Sequence, residues 1–199
     1  MHADSFYPLL VTIAHQSPDE RHRMLADLHS NVVTGYLDMV GAITCEGARR
    51  VVPDGRTVMH VVGHIAEWER YVILSAGEVL AGVEWPGLVA HARYVEPDGT
   101  VFPFRTNAEF NARQLEKYAS SSWEAVQSLA IDTATTCYRL FVQSGLWTPE
   151  RLERTRSWDF YELPIGVTLK VPCGWFLWMI TIEHEAIEHT ADLALGRDR

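Results

Sequence analysis

The stretch Glu183 to Leu193 reads E-H-E-A-I-E-H-T-A-D-L, and its periodicity decides how the chain is read. No Gly or Pro interrupts residues 175–195, so the pattern predicts a helix. On an α-helix, residues four apart share a face. Glu185 and His189 meet that spacing, and Asp192 follows on nearly the same face. A carboxylate and an imidazole stacked on one rigid helix can grip one metal ion, with a third ligand arriving from elsewhere. His184 and Glu188 form a second ladder, whose face runs on into Ala191 and Leu195, and this one reads as a helix-surface contact. The stretch is a near miss to the zinc-protease H-E-x-x-H motif. The second His comes one residue late, which on an α-helix sets the two histidines about 140° apart, so that motif is rejected.

Working outward, residues 173–182 are apolar on nearly every side, which predicts the most buried helix of the chain, running from Cys173 to Leu195. Residues 154–172 carry β-like content around Pro164 and Gly166 and are expected to form a short hairpin or an irregular loop. Upstream, Ser17, Pro18 and Glu20 make a capping box that opens a helix to about Ala42, after an apolar lead-in at residues 1–16. The turn signal Pro53-Asp54-Gly55 precedes a second helix from Thr57 to Leu80, with His64 at the edge of its apolar arc. Residues 82–106 hold Pro86, Pro97, Gly99 and Pro103 and several aromatic residues, the composition of a pocket wall or lid. A two-part helix then covers Asn107 to Ala119 and Ser121 to Ser144, and a helical turn follows at residues 148–152. Four long helical patterns without a convincing sheet predict an all-α, four-helix bundle with long irregular connections, formed by residues 1–199 as one domain.

Composition narrows the function. The 199 residues carry a net charge of −9, which argues against nucleic acid and anionic membrane surfaces as partners. No apolar run approaches the roughly 20 residues of a membrane span. The N-terminal residues lack the basic segment of a signal peptide, so the cytoplasm is the expected compartment. Cys45, Cys137 and Cys173 form no C-x-x-C pair and supply no thiolate metal site.

The candidate metal ligands are therefore His64, Glu185 and His189. An alternative stays open: His64 as a half-buried core histidine and Glu185–His189 as a surface ion pair. An unpaired carboxylate inside so apolar a helix is costly, which favours a bound partner. His60 is an alternative ligand, Glu67 and Asp192 are candidates to orient the imidazoles through their second ring nitrogen, and Cys173 stands where a helix dipole favours a thiolate. Trp158, Phe160 and Tyr161 are candidates for a pocket mouth.

The His64 context, H-I-A-E-W-E, followed by E-x-x-x-H-x-x-D-L in the last helix, resembles the DinB/YfiT-like metal-binding bundle superfamily. The Glu-x-x-x-His variant is similar to the N-terminal domain of the mycothiol-dependent maleylpyruvate isomerases. The resemblance implies His64 as the ligand from the second helix and Glu185 and His189 as the pair from the last, with Asp192 matching the aspartate that follows. It spans residues 17–196 in architecture, but only the two short motifs are specific. It further implies a divalent metal, zinc first and iron, nickel or manganese as alternatives, with an open position for the sulfur of a bacterial thiol such as mycothiol, bacillithiol or glutathione. The activity it suggests is thiol transfer or isomerisation on a small organic electrophile. The sequence ends after the last helix, so the isomerase reaction itself is not implied. A metal-dependent hydrolase and a non-enzymatic, homodimeric metal-binding bundle are the alternatives.

Overall fold

In the computed structural model, residues 3–90 and 94–197 are described; His2, His91 and residues 92–93 of the 82–106 connection lie outside them. The described chain is mainly helical, with two small antiparallel hairpins. The helices are α1 (Ala3–Ala14), α2 (Pro18–Gly41), α3 (Val58–Leu80), α4 (Gly87–Ala90), α5 (Asn107–Tyr118), α6 (Trp123–Tyr138), α7 (Pro149–Glu153), α8 (Cys173–Glu183) and α9 (Thr190–Ala194). Two π turns extend helices, Arg139–Gln143 after α6 and His184–Glu188 between α8 and α9. No helix among the described residues is long and apolar enough to cross a membrane.

Local chemistry sets the boundaries. The Ser17 side chain accepts a hydrogen bond from the Glu20 backbone N–H, with Pro18 beside it at the start of α2. Thr57 caps α3 reciprocally with His60, whose Nδ1 accepts the Thr57 backbone N–H at 3.2 Å. That bond orients the His60 ring in the cap, and among the described residues His60 is in no group placed to share a metal ion. The expected lead-in at residues 1–16 is itself a helix: Phe6, Leu10 and Ile13 are buried at helical spacing, and Pro8 falls on an exposed position of the first two turns. The 154–172 segment forms the expected hairpin, β3 (Ser157–Leu163) with β4 (Val167–Pro172), irregular between Trp158 and Tyr161. The 82–106 connection adds α4 and a minimal hairpin, β1 (Tyr94–Val95) with β2 (Val101–Phe102).

The core is built around α8, whose Cys173 to Met179 are all buried, and around α3, which packs on α5, α6 and α8. α3 feeds two apolar clusters. Val61, Val62 and Ile65 join Tyr36, Val40 and Val126, while Trp68, Tyr71 and Val72 join Phe110, Trp175 and Trp178. Burial of such side chains stabilises the fold by about 1.5–3 kcal/mol each. His64 falls between the two clusters on α3.

A buried carboxylate fastens α5 to α3. Glu67 accepts from the hydroxyl of Tyr118 at 2.6 Å, from the Tyr94 hydroxyl, and from Lys117 Nζ at 2.5 Å. Those three donors hold it ionised against its burial. They also engage Glu67 fully, so it does not orient His64. The Tyr118 ring lies where a side chain at position 63 would stand: a Cβ on Gly63 would approach it to 2.7 Å. Gly63→Ala is therefore expected to destabilise the protein, because overpacking of about 1–3 kcal/mol exceeds the helix-propensity gain of about 1 kcal/mol. Chemical denaturation measures this, and a raised midpoint would contradict the packing account.

Candidate metal centre

The helix that begins at Cys173 does not continue in α register. At His184–Glu188 the hydrogen bonds become i→i+5, and His189 leaves helical geometry at φ −119° and ψ 7° before α9 begins. An i→i+5 turn brings residues five apart onto one face. His184 and His189, on opposite sides of an α-helix, therefore come together, with ring centroids 6.1 Å apart. His64 from α3 meets both: its ring lies 5.0 Å from that of His189 and 6.0 Å from that of His184. Among the described residues, His64, His184 and His189 form a group whose ligating atoms all lie within 4.8 Å of one another.

Each ring is oriented through Nδ1. His64 Nδ1 lies 3.3 Å from Gln114 Oε1, His184 Nδ1 donates to the Ile180 carbonyl at 3.0 Å, and His189 Nδ1 stands 3.6 Å from Asp192 Oδ2. The three Nε2 atoms are left to coordinate, an arrangement in which the far ring nitrogen fixes tautomer and direction. His189 Nε2 is buried without a hydrogen-bond partner. The Glu188 carboxylate lies across the group, 3.2 Å from His184 Nε2 and 4.0 Å from His189 Nε2. Burial, reinforced by the neighbouring imidazoles, pushes His64 down to about 2, and burial lowers His189 as well. Both rings are thus neutral at ordinary pH, the form that binds a cation. Three imidazoles, those of His64 and His189 held neutral, and an orphaned buried nitrogen fit a divalent metal of the zinc type.

The structure brings His64 and His189 together as the sequence suggested, and places Glu185 elsewhere. The π turn directs Glu185 inward, where its side chain is fully buried and its Oε2 lies 3.4 Å from His29 Nε2. It also interacts with Glu69, which accepts from the Thr133 hydroxyl. Burial pushes both carboxyls up, so the pair retains a proton. His29 Nδ1 accepts from Trp178 Nε1 at 3.0 Å, and burial depresses His29 to about 3, so its contact with Glu185 involves a neutral ring.

His184 is the residue that sequence reasoning assigned to the helix surface. Its reading depended on an α register, and no Gly or Pro marks the π turn that changes it. The one available signal was a pair of histidines five apart in an uninterrupted helix. Asp192 takes the orienting position expected of it. Gln114, from α5, was not anticipated. Cys173 is a buried thiol pushed up to about 11 by desolvation, which excludes the expected thiolate.

A cavity of about 430 Å³ opens beside the imidazoles and is lined by His64, His184 and Glu188. Trp68 and Asn111 line it from the α3–α5 side, and Trp158, Phe160 and Tyr161 from the hairpin, as the sequence suggested. Tyr161 donates to Glu183 at 2.6 Å.

With that geometry established, one similarity to a solved structure stands out. The chain is similar to the crystal structure of the mycothiol-dependent maleylpyruvate isomerase, with a TM-score of 0.56 and 16% identity over 86% of this chain. The match covers 60% of that protein, less than two thirds of its length. An identity this low carries the fold alone. No family model and no curated protein matches the sequence.

His29 supplies a pH prediction. Its folded value lies below its unfolded value of about 6.5, so its contribution to stability is complete above pH 6.5 and is lost as pH falls toward about 3. Replacing it in His29→Gln should reduce proton uptake on unfolding between pH 6 and 4 by about one proton. Urea denaturation at stepped pH measures the slope, and an unchanged slope would show that His29 is already protonated in the fold.

Proposed function

We propose that the chain is a metal-dependent enzyme that uses a low-molecular-weight thiol on a small organic electrophile. The observation that carries this reading is the convergence of His64, His184 and His189 beside an aromatic cavity whose wall includes His64 and His184. The protein whose fold it shares is itself described as mycothiol-dependent, which supports a thiol as the second component. In this reading the four long helical stretches α2, α3, α6 and α8–α9 form the bundle of a single domain, and the facing helices α3 and α8–α9 supply the ligands.

His64, His184 and His189 would hold the ion, which when bound supplies Lewis-acid stabilisation of a thiolate. Three protein ligands leave room for an exchangeable one. Gln114, the Ile180 carbonyl and Asp192 keep the three rings aimed. Glu188 stands next to the coordinating nitrogens and can receive the thiol proton as sulfur enters. Trp68, Trp158 and Phe160 exclude water and pack the organic body of the electrophile.

The competing ligand set, with Glu185 in place of His184, makes the opposite claim about two adjacent residues. Zinc content of purified His184→Ala and Glu185→Ala separates them. His184→Ala should lose most of its metal; Glu185→Ala should keep its metal and lose stability instead, since it empties a fully buried site. Metal retained by the first and lost by the second would restore the Glu185 set. Turnover of an electrophile with mycothiol, bacillithiol or glutathione should disappear on chelation and return with zinc. Ester or amide cleavage without any thiol dependence would favour a hydrolase on the same site.

A further inference from the structure

The charge of the cavity wall bears on what enters it. Among the described residues that line it there is no Lys or Arg, while Glu162, Glu183 and Glu188 all contribute carboxylates. A site built for a carboxylate or phosphate substrate would present guanidinium or ammonium groups, because a desolvated anion needs a charged donor. The rest of the wall is aromatic. Trp158 stands 5.4 Å from Phe176 and 5.7 Å from Phe160 between ring centroids, and Phe160 is 76% exposed at the mouth. Ring faces attract cations through their quadrupole, and tryptophan does so best. Behind the wall, Trp158 adjoins Trp85, whose face carries the Arg156 guanidinium at 4.8 Å.

We propose that this cavity takes an organic cation, a small primary or quaternary ammonium with an apolar body. The ammonium group sits between the ring faces of Trp158 and Phe160 and the carboxylates of Glu162 and Glu183. Glu183 is held in place by the Tyr161 hydroxyl, so its carboxyl is a fixed group rather than a mobile surface one, and a bound cation would offset the burial that pushes it up. The apolar body lies on Phe176 and Trp68, directed toward His64 and His184. The inference rests on the cavity being the substrate site of the proposed enzyme, and it names the class of substrate. An anionic electrophile is thereby disfavoured, since it would meet three carboxylates and no protein cation.

The test is equilibrium binding to the full chain, zinc-loaded and chelator-stripped, followed by tryptophan fluorescence. The probes are benzyltrimethylammonium, 3-phenylpropanamide and 3-phenylpropionate, close in size and differing in charge. The ammonium should bind about tenfold tighter than the amide, and the propionate weakest, in the stripped protein; zinc should narrow the gap without reversing it. Glu162→Gln with Glu183→Gln should bring ammonium and amide to within about threefold. Phe160→Leu, on an exposed position that does not threaten the fold, should weaken the ammonium more than the amide. Propionate binding as tightly as the ammonium, or a charge preference that survives both sets of substitutions, would overturn the proposal. Metal content of the same samples keeps the two readings apart. Absent metal with an intact ammonium preference removes the metal-dependent reading and supports this one; retained metal with no preference removes this one alone.

Discussion

Most of the candidate site depends on one extra residue per turn. Between Glu183 and His189 the backbone winds by i→i+5, and that local unwinding sorts neighbouring polar side chains to opposite sides. His184 and His189 face His64 on α3, and His184 also lines the cavity; Glu185 faces α2 and the closed interior. An α-helical continuation would have paired Glu185 with His189 and left His184 apart. The turn also ends the apolar run of α8, so the transition from core to chemistry takes place within a single helix turn.

Around that turn, each imidazole is tied to a different part of the fold. Gln114 brings α5 to His64, and α5 is itself held to α3 by the Glu67 network with Tyr94, Tyr118 and Lys117. Asp192 ties His189 to α9, and the Ile180 carbonyl ties His184 to α8. The buried Glu69–Glu185–His29 group on the inner side is polar without being part of the cavity, and its placement explains why a carboxylate is tolerated so deep. A retained proton on the carboxyl pair spares the core one of its two negative charges.

Much of the scaffold was legible because it obeys local rules. Ser17-Pro18 and Thr57 announced their helices, the aperiodic apolar run at residues 173–182 announced the most buried one, and the β-like content of 154–172 announced the hairpin. Residues 1–16 read only as an apolar lead-in, and the helix they form, Ala3–Ala14, carries Pro8 within it. The minor hairpin Tyr94–Val95 with Val101–Phe102 is only two residues deep on each side, too short for a period-2 pattern to register. In the site, His64, His189, Asp192 and the aromatic wall were readable from spacing and composition. His184 was not, because a π turn has no sequence punctuation of its own. Gln114 was not, because its role exists only through the packing of α5 on α3.

The β3–β4 hairpin meets α8 without any spacer: β4 closes at Pro172 and the helix opens at Cys173. The side chains that face a visiting molecule from the hairpin therefore belong to a different structural unit from the nitrogens that would grip an ion. The hairpin is largely exposed outside Tyr161, Leu163, Leu169 and Val171, whereas residues 173–179 have no face on which a change would go unfelt. Drift in the sequence can consequently reshape what is accepted while leaving the gripping nitrogens untouched. A small, mostly solvated ribbon bolted to an immobile post is a convenient place for one scaffold to acquire different tastes.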